Sequence, residues 1–310
     1  MKPENQYKLI GHNTIFDELV SFYNNGILPS KILLSGKKGI GKCTLGYHLI
    51  NYIFSKDEEN KYDFANKKIN LNNNSYKLIQ NSIHTNFYKI SLQDAKKSID
   101  IEQIRNMINF TQKSSFNNKE KIILIDQAEY LNRSSNNALL KVLEEKNLNI
   151  IFILILNNEK KILKTIKSRF IDFKINLEKK FVSEIVNNYF EKDIFDSINS
   201  EFKVHYFTPS FYIDFVSLCN EIDFDYQKLD INDFLEYFIS EKIYNKKLNN
   251  KYDFKLFFEL YFKKRILKIY NTEIVNYYNY FNKKYFEINK YNLDVEPFFI
   301  EFNSKILNGK

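Results

Sequence analysis

The sequence predicts an α/β domain with a parallel sheet over its first half and an all-α region over its second. Three observations predict it. Four of the seven glycines in 310 residues, Gly36, Gly39, Gly41 and Gly46, fall within eleven residues, where a short apolar run gives way to a helical pattern. Further apolar runs of strand length alternate with helical patterns as far as about residue 175, which implies a largely parallel sheet. Beyond that point the strand signal fades and helical patterns remain.

The first strand is expected at residues 31–35, and the helix after the glycines at 44–54, with Leu45, Leu49, Ile50 and Ile53 turned inward. Residues 55–85 are polar, with Asn72-Asn73-Asn74 at their centre, and read as an insertion or mobile loop. Buried strands follow at 87–90, 122–125 and 150–156, with a shorter one at 170–175. Between them Ile101, Ile104, Met107 and Ile108 mark one helix face, and Leu139, Leu140 and Leu143 another. The second half reads as helices at 177–190, at 210–219 (entered through Thr208-Pro209), at 233–244 and at 254–270. The last of these is apolar on most faces, as a helix enclosed by neighbours would be. No internal repeat or coiled-coil register is found.

Composition excludes several classes. A typical soluble protein carries about 7% Gly and 5% Pro. With 7 Gly and 4 Pro, this chain is neither collagen-like, nor a Gly/Ser linker, nor proline-rich. With 44% hydrophobic and 27% charged residues it is not a disordered polyelectrolyte. Residues 1–173 hold 26 Lys+Arg against 17 Asp+Glu, and residues 174–310 hold 20 against 21, so the whole formal charge of +8 lies in the first half. A basic half suits a polyanionic partner. Asn, Lys, Ile, Phe and Tyr are enriched together, however, and all have AT-rich codons, so codon bias also explains the lysine. Cys43 and Cys219 lie far apart without CxxC spacing, and neither a disulfide framework nor a cysteine zinc site is expected. Met1-Lys2-Pro3-Glu4-Asn5 lacks the apolar core of a secretory leader, and the aliphatic run at 150–156 is far shorter than a bilayer span. A cytoplasmic protein with no membrane partner is expected.

The strongest motif is Gly36-Lys37-Lys38-Gly39-Ile40-Gly41-Lys42-Cys43, which fits GxxxxGK[ST] except at its last position. Such a loop turns backbone N–H groups inward as an anion nest before a helix N-terminus. Lys42 would reach the β- and γ-phosphates of ATP or ADP, and the glycines would let the backbone come close. The simpler alternative is a tight strand-to-helix turn. Cys43 stands where a Ser or Thr hydroxyl holds Mg²⁺, and a thiol is a poor ligand for so hard a cation. Thr44 is shifted by one residue, about 100° round the helix, and does not replace it directly. Magnesium binding is therefore expected to be weakened.

The second motif is Ile122-Ile123-Leu124-Ile125-Asp126-Gln127-Ala128-Glu129, an apolar strand ending in Asp as in a Walker B segment, where the carboxylate supports the metal. Gln127 occupies the place of the usual catalytic Glu. It can orient water but cannot take its proton, and general-base catalysis is worth about 10²–10⁴-fold. Glu129, three residues from Asp126 on an expected loop, is not expected to stand in for it.

Asp126-Gln127-Ala128-Glu129-Tyr130-Leu131, followed by the stretch from Asn136-Asn137-Ala138 to Leu143-Glu144-Glu145, resembles the bacterial clamp-loader ATPase family of AAA+ proteins. So do Leu156-Asn157-Asn158 and the stretch from Leu163 to Ser168-Arg169-Phe170, the latter similar to that family's Ser-Arg-Cys motif with Phe170 in place of Cys. Leu9-Ile10-Gly11-His12, Leu28-Pro29-Ser30 and Ile101-Glu102-Gln103-Ile104-Arg105 point within it to the delta-prime subunits of DNA polymerase III. The resemblance covers about residues 8–175.

The resemblance implies an α/β AAA+ P-loop domain at 1–173, an all-α lid at 174–220 and an α-helical collar domain at 221–310. It makes Arg169 an arginine finger, reaching a neighbouring subunit's ATP. It places nucleotide at Gly36, Gly39, Gly41, Lys42, Cys43, Thr44, Asp126, Gln127 and Asn158, the last matching a γ-phosphate sensor for which Asn157 competes. Its partners are gamma/tau-like motor subunits, a delta-like subunit, the sliding clamp and primer–template DNA. Members commonly carry a four-cysteine zinc module near residues 55–80. No cysteine occurs there, so no zinc is expected, and the lone His84 reads as structural. Cys43 and Gln127 suit a delta-prime subunit better than a motor. A catalytically active loader ATPase and a P-loop protein of another class remain alternatives.

Overall fold

The computed structural model describes residues 2–93, 96–113, 115, 119–145, 149–157, 162–203, 207–245, 255–268, 271–291 and 293–308. The chain divides into two units, Met1–Val182 and Ser183–Lys310.

The five apolar runs of the first unit become five strands: β1 (Lys31–Gly36), β2 (Phe87–Ile90), β3 (Lys121–Ile125), β4 (Ile150–Asn157) and β5 (Ile171–Lys174). They form one sheet in the order β2-β3-β4-β1-β5, and every pairing is parallel. β3 and β4 are buried at every residue, as strands covered on both faces must be. The helices that cover them are α1 (Asn13–Asn24), α2 (Lys42–Ser55), α3 (Asn74–Gln80), α4 (Ile101–Gln112), α5 (Arg133–Glu144) and the short α6 (Lys164–Lys167). One face of the sheet, with Leu33, Ile123, Ile125, Phe152 and Leu154, packs with Ile104 and Met107 of α4 and Leu139 and Leu143 of α5. The other face meets α2, where Gly46 leaves room for Leu124 and Ile153, whose side chains come within 3.6 and 3.8 Å of its Cβ direction.

Local chemistry sets the ends of these elements. Asp100 caps α4 in a capping box with Gln103, and Asn132 caps α5 by accepting from the Ser135 N–H. Lysines at the starts of two strands satisfy the open carbonyls at helix C-termini. Lys31 donates to Leu143 O at 2.6 Å, and Lys121 to Phe110 O at 2.8 Å.

The stretch at 55–85, expected as an insertion or mobile loop, carries helix α3. Its N-terminus is capped by Asn73 and by the Glu58 carboxylate, which accepts from the Asn74 N–H at 3.0 Å and the Ser75 N–H at 3.2 Å. An anion at a helix N-terminus offsets the poor helix propensity of so Asn-rich a segment. The stretch is also tied to the body of the unit, because Tyr62 O–H meets His48 Nδ1 at 2.7 Å and Lys68 pairs antiparallel with Lys8.

The second unit is helical: the remainder of α7 (Lys180–Phe190), then α8 (Pro209–Glu221), α9 (Ile231–Ser240), α10 (Lys255–Lys268), α11 (Thr272–Tyr291) and α12 (Glu296–Phe302). The helix expected at 233–244 ends at Ser240, and Lys242 follows with φ 47° before a 3₁₀ turn at Ile243–Asn245. Among the described residues no helix is long and apolar enough to cross a membrane.

Candidate functional site

In a parallel sheet, side chains and loops at the C-terminal ends of neighbouring strands converge. Here β1 and β4 pair so that Gly36 lies opposite Asn157, and the Asp126 N–H bonds to Ile90 O at 2.8 Å just beyond β3. The glycine loop, Asp126 and Asn157 are thereby brought to one edge of the sheet.

The glycines of the loop have different reasons to be there. A Cβ on Gly36 would stand 2.4 Å from Ile175 O, so close approach of the chain after β5 demands glycine. Gly39 and Gly41 have φ of +79° and +91°, the left-handed region that turns successive N–H groups to one side. Gly41 caps α2 without a side-chain bond, leaving first-turn N–H groups for an anion. His12 braces the loop from outside, its Nε2 2.6 Å from Ile40 O, and burial lowers its pKa, keeping the ring neutral. The cradle fits a phosphate group.

Lys42 is buried at 3% exposure. Its ammonium donates to Gly36 O at 3.1 Å, to Lys37 O at 2.5 Å and to Asn157 Oδ1 at 2.8 Å. Asn157 is itself held by Glu129, which accepts from its Nδ2 at 2.7 Å and from its N–H at 3.2 Å. The expected loop position of Glu129 is a 3₁₀ turn, Ala128–Tyr130, and both its carboxylate oxygens are engaged on Asn157. Asn157 therefore faces the loop lysine. Asn158, the other sensor candidate, lies outside the described residues. Thr44 is half-buried in the first turn of α2.

The metal position departs from the usual chemistry. The Cys43 thiol is buried. Burial, reinforced by the Asp126 charge, pushes the thiol well above its ordinary pKa, so it stays protonated. Burial also raises Asp126, opposed by the neighbouring Cys43 thiol and by the Lys89 charge. A buried, protonated thiol in the place of a hydroxyl does not fit Mg²⁺. Among the described residues no group of three His, Cys, Asp or Glu side chains is placed to hold a metal ion. Gln127 takes a left-handed conformation, φ 57° and ψ 49°, uncommon for a non-glycine residue and of the kind that clusters at functional sites.

A family model described as DNA polymerase III, delta subunit, matches residues 11–179. The chain belongs to this family. It is 31% identical over 176 residues to the DNA polymerase III subunit gamma of Buchnera aphidicola subsp. Schizaphis graminum, covering 57% of this chain and 46% of that one. It is 28% identical over 137 residues to the DNA polymerase III subunit delta' of Pseudomonas aeruginosa, covering 44% and 40%. The chain thus spans less than half the length of either relative, and identity at this level does not separate the two kinds. The RuvB Holliday junction branch migration motor of Thermotoga maritima overlays with a TM-score of 0.42 at 15% identity, covering 77% of this chain and 80% of that one, a likeness too distant to bear on function.

In this member of the DNA polymerase III, delta subunit family, Arg169 follows the short helix α6 and is not joined to the glycine loop. Its Nη1 donates to Thr165 O at 2.6 Å, and its Nη2 pairs with the Glu144 carboxylate at the end of α5. The side chain keeps 32% of its surface exposed. Phe170, in the place of the family's Cys, is buried in the core with Leu154 and Ile166. His84 stacks on Phe54 at 4.2 Å, and burial lowers its pKa to about 4. The residues that sequence reasoning undervalued are Asn157 and Glu129. The end of the apolar run at Leu156 was the available signal, since the next residue sits at the strand's C-terminal edge.

Proposed function

We propose that this chain is a clamp-loader subunit of the replicative DNA polymerase III, of the delta-prime kind. It assembles with gamma/tau-like motor subunits and a delta-like subunit, offers Arg169 to a neighbour's nucleotide and turns over little ATP itself. The observation that carries the reading is the buried Cys43 thiol at the place of the Ser/Thr hydroxyl in an otherwise complete glycine loop, in a chain of this family. Gln127 supports it, lacking the basicity of a carboxylate, and the loss of a general base costs about 10²–10⁴-fold. The backbone N–H groups of residues 36–43 and the Lys42 ammonium would hold ATP or ADP, whose phosphates supply the negative charge this loop is built to meet. Residues 174–220 serve as lid and 221–310 as collar. The basic first half supports a place beside primer–template DNA, where phosphate contacts dominate affinity, and beside the sliding clamp.

Arg169 gives the direct test. A guanidinium stabilising phosphoryl charge in trans is worth about 10³–10⁵ in rate. Arg169→Ala in the reconstituted loader is expected to cut ATP hydrolysis at the neighbouring site it serves by about that factor, to lower the total turnover, and to impair clamp loading. Unchanged hydrolysis would sink the proposal. A second reading, an active motor subunit, is favoured by the 31% identity to a gamma subunit. It requires ATP turnover by the isolated chain that Lys42→Ala abolishes.

A further inference from the structure

The left-handed turns at Gly39 and Gly41 make an anion cradle only if the peptide between Ile40 and Gly41 faces the right way. Glycine gives that peptide little resistance to turning over, because a residue without a Cβ accepts both orientations. Turned over, it would present the Ile40 carbonyl oxygen to a phosphate in place of an N–H. His12 holds it. The buried ring has Nε2 2.6 Å from Ile40 O, and a Cβ on Gly41 would meet the same ring at 3.3 Å from Nε2 and 3.6 Å from Cδ2. A carbonyl oxygen only accepts, so Nε2 carries the proton and donates. Across a planar trans peptide the C=O and the N–H point in opposite directions. With Ile40 O turned toward His12, the Gly41 N–H is turned away from it, into the cradle.

The mount of His12 is itself fixed. It is the N-cap residue of α1, and its own carbonyl accepts from the N–H of the fully buried Phe16 at 3.0 Å. Gly11 before it takes φ +79° and packs against Leu177, whose Cδ1 would stand 2.4 Å from a Cβ there. Burial keeps the imidazole neutral, against the Ile40 bond, which favours the charged form. The ring therefore adds no charge of its own to the site.

We infer that His12 is a positioning residue of the nucleotide site: by donating Nε2–H to Ile40 O it locks the Ile40–Gly41 peptide with the Gly41 N–H toward the phosphates of ATP or ADP. The inference rests on the nucleotide-binding reading of the glycine loop and adds to it a residue that touches no ligand. The lock acts before the ligand arrives, so the phosphates meet a cradle already formed. The donor is what matters, not the bulk of the ring. Phenylalanine would fill the space without holding the carbonyl, whereas the Nε2 of a glutamine can take the place of the imidazole Nε2.

The test is calorimetric titration of the whole chain with ADP, repeated with His12→Phe and His12→Gln. His12→Phe should weaken ADP about tenfold, and His12→Gln should stay within about threefold of the parent. His12→Leu, equally unable to donate, gives the same comparison should His12→Phe not fold, and melting curves identify the folded variants. Labelling with ¹⁵N-glycine reads the peptide directly, since the chain has only 7 glycines. Without the donor the Gly41 amide signal should broaden or double in the free chain and sharpen with ADP. Gly26, whose Cβ direction meets nothing within 4 Å, should not change. Parental ADP affinity in a folded variant without the donor, an unmoved Gly41 signal, or equal losses with and without the donor would each overturn the inference while leaving nucleotide binding intact. Absence of ADP binding by the parent chain overturns the nucleotide reading itself, and the inference with it.

Discussion

In the unit Met1–Val182 the core is aliphatic: apart from Lys121 at the start of β3 and Asn157 at the end of β4, these strands bury Ile and Leu with a single Phe152. In Ser183–Lys310 the fully buried side chains are dominated by Phe, with Phe202, Phe215, Phe234 and Phe238 around α8 and α9, and Phe298 and Phe302 on α12. The difference follows from the architecture. A pleated strand covered on both faces selects branched aliphatic side chains that pack at short range. Short helices meeting at varied angles leave wider, irregular gaps, which a large planar ring fills and which edge-to-face ring pairs stabilise further. Polar chemistry divides the same way. Among the described residues the buried Lys42, Asn157, His12 and His48 belong to the α/β unit, and the helical unit buries Lys264 between Glu201 and Asp230. A parallel sheet converges its strand ends on one edge and so can gather polar groups for a purpose, while the helical unit spends most of its interior on packing.

The largest stability effect should come from breaking the aromatic core. Phe234 is fully buried, with rings of Phe257 at 4.6 Å, Phe224 at 5.2 Å and Phe215 at 5.7 Å. Phe234→Ala should cost about 3–5 kcal/mol, against about 0.5–1.5 for Ile153→Val in β4. Hydrogen exchange locates the damage. Amides of α8 and α9 should lose protection while those of β3 and β4 keep theirs. Equal loss in both would mean that the two units unfold as one, and the contrast between them would have no energetic content.

Acid should separate the units by a slightly smaller margin. The three described histidines, His12, His48 and His84, are all in the α/β unit. Burial pulls His48 down to about 4, with Tyr62 O–H at 2.7 Å and Gln6 O at 3.0 Å from its ring nitrogens, and His84 also falls to about 4. The unfolded chain then takes up these protons first as pH falls below about 6.5, so the stability is full above that pH and is lost on the way to pH 4. For His48 the gap corresponds to about 3 kcal/mol, and the more exposed His84 adds less. In the helical unit Glu301 is held down to about 2 by Lys284, Lys305 and Tyr280. A lowered carboxylate pKa gives stability that persists above about 4.5 and fades only below it. Between pH 6.5 and 4.5 the α/β unit alone should weaken, as unit-resolved hydrogen exchange would register. Earlier loss of protection in α9 or α12 would contradict the assignment.

The same contrast explains what could be seen in the sequence. Strands β1 to β5, the glycine loop and Asp126 were legible because each rests on a local signal: an apolar run, a cluster of a rare residue, a charge at a run's end. The Lys42–Asn157–Glu129 network was not, since it depends on the register that sets Gly36 opposite Asn157. Lys89 and Glu4 meet only because the N-terminal segment lies against the edge strand β2. Helix α11 escaped notice because Asn, Tyr and Lys dominate it and few of its residues, such as Phe281 and Ile288, are buried. Helix α3 is Asn-rich and needs Glu58 from sixteen residues away to cap it.

The smallest expected effect compares two capping boxes of the same design, one in each unit. Asp100 opens α4 with Gln103 as its N3 partner, and Asp230 opens α9 with Asp233. Removing such a cap costs about 0.5–2 kcal/mol, typically near 1. The two should differ within that range because their second partners differ. Asp100 also accepts from Lys96 at 2.6 Å, an i,i+4 pair whose lysine is 46% exposed and recovers its hydration when the carboxylate is gone. Asp230 accepts at 3.2 Å from Lys264, which is only 10% exposed and would be left to Glu201 alone. A buried ammonium that loses one of two carboxylates pays a desolvation cost that an exposed one does not. Asp230→Ala should therefore sit near the top of the range and Asp100→Ala near the bottom, as denaturant unfolding would measure. In Asp230→Ala combined with Lys264→Met the excess should largely disappear, since the second change removes the charge that the first left short of a partner. An excess that survived the double substitution would place the cost in the cap itself and not in the ion pair.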